Sequence, residues 1–173
     1  MTQQSQLPTI HIRAMEPEDL DTLYRIENDQ QLWGVSATNV PYSRYTLHDY
    51  IANSSGDIYT DRQVRLVIED ACHHVVGILD LVNFDPRHLR AEVGIVIQEP
   101  YRKQGYALAA LDRLKAYSSH VLHLHQLFAI IDNTHLSTIR LFQKAGFQPT
   151  ATLRDWLFDG TAYHDSSLLQ LVL

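Results

Sequence analysis

Cysteine is nearly absent. The chain of 173 residues holds one, Cys72, so no internal disulfide can form, and a reducing cytoplasm is the expected setting. Long apolar runs are missing too. Nothing approaches the 18 or so consecutive apolar residues of a membrane span, and the polar stretch Met1 to Pro8 lacks the apolar segment of a secretory signal. Basic residues are outnumbered, 14 Lys and Arg against 20 Asp and Glu, for a formal charge of −6. That balance argues against a general nucleic-acid binder. No linker, repeat or low-complexity tract divides the chain. What is present suits one globular domain: 45% of residues are hydrophobic, enough to bury a full core.

The pattern predicts a loose tail over residues 1–9 and a single domain over 10–173. Ile10 to Ala14 alternates as a short strand. Glu16-Pro17-Glu18-Asp19 opens a helix, with proline in the first turn and carboxylates at the positive end of the dipole. Asn28 to Tyr45 is irregular, broken by Gly34 and Pro41, and a second helix covers Thr46 to Ala52. Strands at Val64–Glu69, His74–Phe84 and Arg90–Gln98 read as an antiparallel meander. A helix from Gly105 to Ser119, a buried strand from Leu124 to Ile131 and a helix from Thr134 to Ala145 follow, with Gly146 as C-cap. Phe147–Phe158 and Tyr163–Leu173 close as a hairpin turned by Asp159-Gly160. The fold class is α/β, more closely α+β: a mixed, mostly antiparallel sheet of about seven strands with four helices.

One stretch carries chemistry. In Arg102-Lys103-Gln104-Gly105-Tyr106-Ala107, a glycine and an alanine stand two apart at the mouth of a helix. Helix N-termini offer unsatisfied N–H donors and partial positive charge, where a pyrophosphate sits well if side chains stay clear. Neither the P-loop nor the dinucleotide glycine fingerprint is present. An ordinary helix cap beside surface cations is the alternative on this loop alone.

The pattern Arg102-x-x-Gly105-x-Ala107 after a strand resembles the acetyl-CoA loop of the GNAT family of N-acetyltransferases. Downstream, I-I-D-N-T-H-L-S-T-I-R-L-F-Q-K-A-G-F resembles that family's fifth strand and fourth helix, with Lys144, Gly146 and Phe147 matching its K-x-G-F box. R-A-E-V-G-I-V-I and L-R-D-W-L-F-D-G-T-A-Y-H-D look most like the spermidine and ribosomal-protein alanine N-acetyltransferases. The resemblance spans Ile10 to Leu173. It implies direct acetyl transfer from acetyl-CoA, without a metal, to a small amine such as a polyamine or to a protein N-terminus. It also implies pairing of two chains through the closing strands.

Three further roles follow from the resemblance. The thioester carbonyl would lie in a gap between the fourth and fifth strands, near the backbone of Val96 and Ile97. The pyrophosphate would rest on residues 102 to 107, with His135 and Lys144 also on the cofactor side. Glu92, on one strand face with Gly94 and Val96, would take the ammonium proton directly or through water; a structural pair with Arg90 or Arg87 is its alternative.

Three departures stand out. The family's proton-donating tyrosine is Phe142 here, its asparagine at the helix start is His135, and the paired acids ahead of Pro41-Tyr42 are replaced by Asn39-Val40. A cofactor-binding module with weak or lost catalysis is therefore the competing reading. Glu27, Asp29 and Asp49 read as solvated charges, and His73, His74, His120, His123 and His125 as surface histidines without a metal. Trp33, Tyr42 and Trp156 are pocket-wall or core residues, and His164 and Asp165 candidate substrate contacts.

Overall fold

The computed structural model describes residues 7–29 and 40–173. Its strands are β1 (Ile10–Ala14), β2 (Val64–Asp70), β3 (Val75–Asp85), β4 (Arg90–Ile97), β5 (Gln126–Asp132), β6 (Gln148–Phe158) and β7 (Tyr163–Val172). They form one sheet in the order β1-β2-β3-β4-β5-β7-β6. Every neighbouring pair is antiparallel except β4 with β5. The helices are α1 (Leu20–Glu27), α2 (Arg44–Asn53), α3 (Ile58–Asp61), α4 (Tyr106–His120) and α5 (Leu136–Lys144). Among the described residues this is the expected α+β sheet with one helix more than the four predicted.

The extra helix, α3, is a single turn. Asp57 caps it by accepting hydrogen bonds from Tyr59 N (3.1 Å) and Thr60 N (3.2 Å), and four residues are too few to show a helical period. Capping also explains a shifted boundary: α2 begins at Arg44 because the Ser43 hydroxyl accepts from Thr46 N at 3.0 Å, the usual N-cap bond. At the other end of the chain, His123 turns into the left-handed region at φ 52° and Leu124 N returns to Ser118 O. Leu124 therefore closes α4, and β5 starts two residues later than its apolar run suggests.

Alternation sorts the sheet into two faces. Leu79, Ala91, Val93, Leu127, Ala129 and Leu169 belong to the larger core with Leu111, Leu114 and Phe142 of the α4 and α5 side. Ile78 and Val96 belong to a smaller core with Leu23, Ile26 and Leu47 of α1 and α2. Burying each leucine or isoleucine among them is worth about 1.5–3 kcal/mol. Among the described residues no helix is long and apolar enough to cross a membrane. Residues 1–6 of the expected tail, together with Trp33, Gly34 and Asn39, lie outside the described residues. Pro8 packs against the start of α4, its Cδ 3.0 Å from where a Cβ on Gly105 would stand.

Candidate active site

The pairing of β4 with β5 stops early. Arg90, Ala91 and Glu92 register with Gln126, Leu127 and Phe128, and beyond them neither strand pairs with the other. The facing edges of Val93–Ile97 and Ala129–Asp132 thus carry backbone groups that need partners, spaced for an extended, amide-bearing chain. Gln98 N donates to Val76 O at 2.9 Å, so strand alternation turns the Ile97 N–H away from β3 and toward this opening. Gly77 sets the backbone here. A Cβ on it would meet the Val96 carbonyl oxygen at 2.2 Å, a distance no side chain survives.

The opening leads to the loop over 102–105. Arg102 Nε donates to Ile97 O at 2.9 Å and Gln104 Nε2 to Pro100 O at 2.7 Å, tying the loop to the end of β4. Lys103 and Gly105 both take positive φ, 61° and 90°. Gly105 is the N-cap of α4 and makes no side-chain cap bond, so the first N–H groups, including those of Tyr106 and Ala107, stay available. Arg102, Lys103 and Gln104 are exposed around them. Tyr106 is half-buried, edge-on to Tyr101 at 5.8 Å.

Glu92 lies at the last paired position, half-buried. Its Oε2 accepts from Asn83 Nδ2 at 2.8 Å. Arg90 is engaged elsewhere, with Asp85 at 3.2 Å. Asn83 was not legible in the sequence. It reaches Glu92 because β3 and β4 slip register between Val82 and Asp85, and the irregularity turns Asn83 to φ 51°.

Beside Glu92 on the same face stands an ion cluster that the sequence reading also missed. Arg65 bonds Asp80 through Nε (2.7 Å) and Nη2 (3.0 Å), and Glu27 through Nη1 (2.5 Å). Burial would lower the Arg65 guanidinium, but Asp80 and Glu27 more than reverse this and hold it firmly charged. Glu27 is therefore not the solvated surface charge expected, its side chain being only 16% exposed. Burial raises the Tyr50 phenol, whose ring lies under Arg65 at 5.5 Å. Asp49 is exposed and accepts from Asn53 Nδ2.

At the far end of the opening, Asp132 closes β5. Burial pushes its carboxyl up, but the N–H and hydroxyl of Thr134 push further down. His164 sits between two carboxylates, its Nε2 2.8 Å from Asp159 Oδ2 and its Nδ1 4.0 Å from Asp132 Oδ2. The Ala162 N–H, then Thr161, hold the Asp159 carboxyl well below the usual range. Asp165 instead accepts from Asp155 N. His135 caps α5, exposed, and Lys144 is exposed at that helix's last residue. Phe142 is 2% exposed and packed edge-on to Phe147 at 5.0 Å, so it is a core residue. Tyr42 joins the smaller core, its N–H and C=O clamped by the Asn28 side chain at 2.8 and 3.0 Å. Trp156 is 55% exposed and forms no part of the buried core. His123 and His125 precede β5.

Comparison with known proteins agrees with this architecture. The acetyltransferase (GNAT) domain model matches residues 9–148. The spermidine N(1)-acetyltransferase of Vibrio cholerae is 24% identical over 154 residues, covering 89% of this chain and 87% of that enzyme. The one from Escherichia coli K12 is 25% identical over 167 residues, covering 92% and 86%. The crystal structure of the Vibrio cholerae spermidine N-acetyltransferase with CoA and spermine superposes with a TM-score of 0.84, at 23% identity over 94% of this chain and 95% of that one. A dodecameric structure of the same enzyme gives 0.78 over 94% and 93%.

Proposed function

Because the chain belongs to the GNAT acetyltransferase family, its donor being acetyl-CoA, we propose that it acetylates a primary amine of a polyamine-like small acceptor by direct attack within a ternary complex. The observation that carries this reading is the position of Glu92: a half-buried carboxylate where β4 and β5 part, on a face whose other charges are mainly negative. Glu27, Asp80, Glu92 and Asp132 contribute carboxylates there, against Arg65 and His164. A polycation is drawn to such a face, and one of its ammonium groups can approach the opening.

In this mechanism Asn83 holds Glu92 Oε2 and leaves Oε1 for the incoming ammonium, directly or through water. Glu92 removes the proton, and the free amine attacks the thioester carbonyl. The developing oxyanion is met by backbone donors near Val96 and Ile97, of which Ile97 N–H faces the gap. Arg102, Lys103, Gln104, Gly105, Tyr106 and Ala107 cradle the pyrophosphate, and His135 and Lys144 flank the cofactor from α5. Phe142 has no proton to give, so as the oxyanion collapses and the C–S bond breaks the departing thiolate takes a proton from water or from His135, and the new amide nitrogen gives its surplus proton to solvent. Residues 10–173 act as one catalytic domain, and the dodecameric relative is reason to expect that copies of this chain assemble too.

Glu92→Gln keeps an acceptor for Asn83 and removes the base. Turnover, followed as CoA release with spermidine or spermine, is expected to fall about 10²–10⁴-fold, the usual contribution of a positioned base. Acetyl-CoA affinity by calorimetry should stay within a factor of two or so. Unchanged turnover would remove Glu92 from the mechanism. Tight acetyl-CoA binding with no turnover of any amine by the wild type would favour the cofactor-binding module.

A further inference from the structure

The tip of the β2–β3 hairpin lies apart from the site above. Within five residues, Asp70-Ala71-Cys72-His73-His74, three metal-ligating side chains gather. A carboxylate oxygen of Asp70, the sulfur of Cys72 and a ring nitrogen of His74 all lie within 4.8 Å of one another. We propose that Asp70, Cys72 and His74 form an exchangeable site for a divalent transition-metal ion, with Zn²⁺ the best match to the donors.

The backbone sets this up. Asp70 Oδ1 accepts from Cys72 N (2.8 Å) and His74 N (2.9 Å), which fixes the carboxylate. Its other oxygen, Oδ2, is 3.2 Å from His74 Nδ1, so one oxygen organises the turn and the other meets the ring. His73 takes a left-handed φ of 65°, and its ring is committed elsewhere. It lies 3.1 Å from Glu69 Oε2 and stacks on His11 at 5.7 Å. The turn thus separates two adjacent histidines and gives only the second to the cluster.

The donor set is one carboxylate oxygen, one imidazole nitrogen and one thiolate, a mixture that suits Zn²⁺ among available divalent ions. Around a tetrahedral ion with bonds of about 2.0–2.3 Å, ligand atoms stand roughly 3.5 Å apart. The cluster must therefore contract by about 1 Å, which rotation of the exposed Cys72 side chain supplies. On binding, the Cys72 thiol loses its proton to solvent, neutral His74 donates the Nδ1 lone pair in place of its bond to Asp70, and Asp70 Oδ2 completes three positions. The fourth is left to water. Because Cys72 and His74 are exposed, the ion exchanges with solvent rather than holding the fold.

Cys72 is the only cysteine in the sequence, so any thiolate signal reports this site. The test is titration of the reduced, chelator-treated full chain with Co²⁺. A near-ultraviolet thiolate-to-cobalt absorption saturating at one equivalent, and displaced by Zn²⁺, is expected. His74→Ala and Asp70→Asn should each weaken binding by at least the ~10-fold that loss of even an outer-sphere partner causes, while His73→Ala changes it less than about twofold. In parallel, Zn²⁺ should slow the reaction of Cys72 with an aromatic disulfide in the wild type and not in His74→Ala. No thiolate band, or a band equally strong in His74→Ala, would overturn the site. Equal loss in His73→Ala would overturn the assigned ligands.

Discussion

Gly105 is held by two independent restraints, a φ of 90° and the Cδ of Pro8 3.0 Å from any Cβ. Either alone would disfavour a side chain, and together they fix the path by which the loop enters α4. Gly105→Ala is expected to cost about 1–2 kcal/mol of stability, since alanine is strained at positive φ. It should also weaken acetyl-CoA binding, because the free N–H groups of the first turn re-aim. Urea denaturation and calorimetric titration measure the two effects. Stability lost with affinity unchanged would mean that the loop's shape does not matter to the cofactor. Phe142 teaches the complementary lesson. Where the family resemblance implies a tyrosine, this chain has a phenylalanine packed against Phe147, and in the proposed mechanism proton delivery comes from elsewhere.

The turn before α1 is pinned to the sheet by charge. Arg13 on β1 bonds Asp19 at 2.7 Å and Glu69 on β2 at 2.6 Å, and Asp19 also accepts from Glu16 N at 2.8 Å. Burial pushes the Asp19 carboxyl up, but Arg13 and the Glu16 N–H together push it further down, and the net direction is below the usual value. A carboxyl depressed on folding contributes stability above its unfolded pKa of about 4 and loses it as pH falls through the lower folded value. Asp19→Asn should therefore cost about 1–2 kcal/mol at pH 7 and progressively less below pH 4. Urea midpoints for both proteins at pH 7 and pH 3 check this; a gap that persists at pH 3 would mean the loss is packing and not charge. The elements themselves were largely legible, because the strands alternate and the longer helices repeat at 3.6. The parts that escaped depend on events with no sequence period. Four residues after a capping Asp57 make α3, and a register slip turns Asn83 toward Glu92. Arg65 selects Glu27 from across 38 positions. Glu92 itself could be placed by alternation alone, but its hydrogen-bond partner could not.

Both cores rest on one continuous sheet, so the described chain should unfold as a unit. Calorimetry is expected to show a single transition, moved upward by acetyl-CoA; at 100 times its Kd the ligand adds about 2.7 kcal/mol. Two separated transitions would mean that the strands before and after the opening melt independently. That outcome is conceivable only because of the early end of β4–β5 pairing. Within the sheet there are two plates, β1 to β4 and the group β5-β7-β6, paired through three residues at one corner, sharing the larger core on one face, and open along the rest of the seam. A strand-like ligand in the seam would be the missing rungs of the ladder. The gap-facing amide hydrogens of β4 and β5, Ile97 N–H among them, would then exchange more slowly while it is present, and each turnover would zip and unzip the sheet.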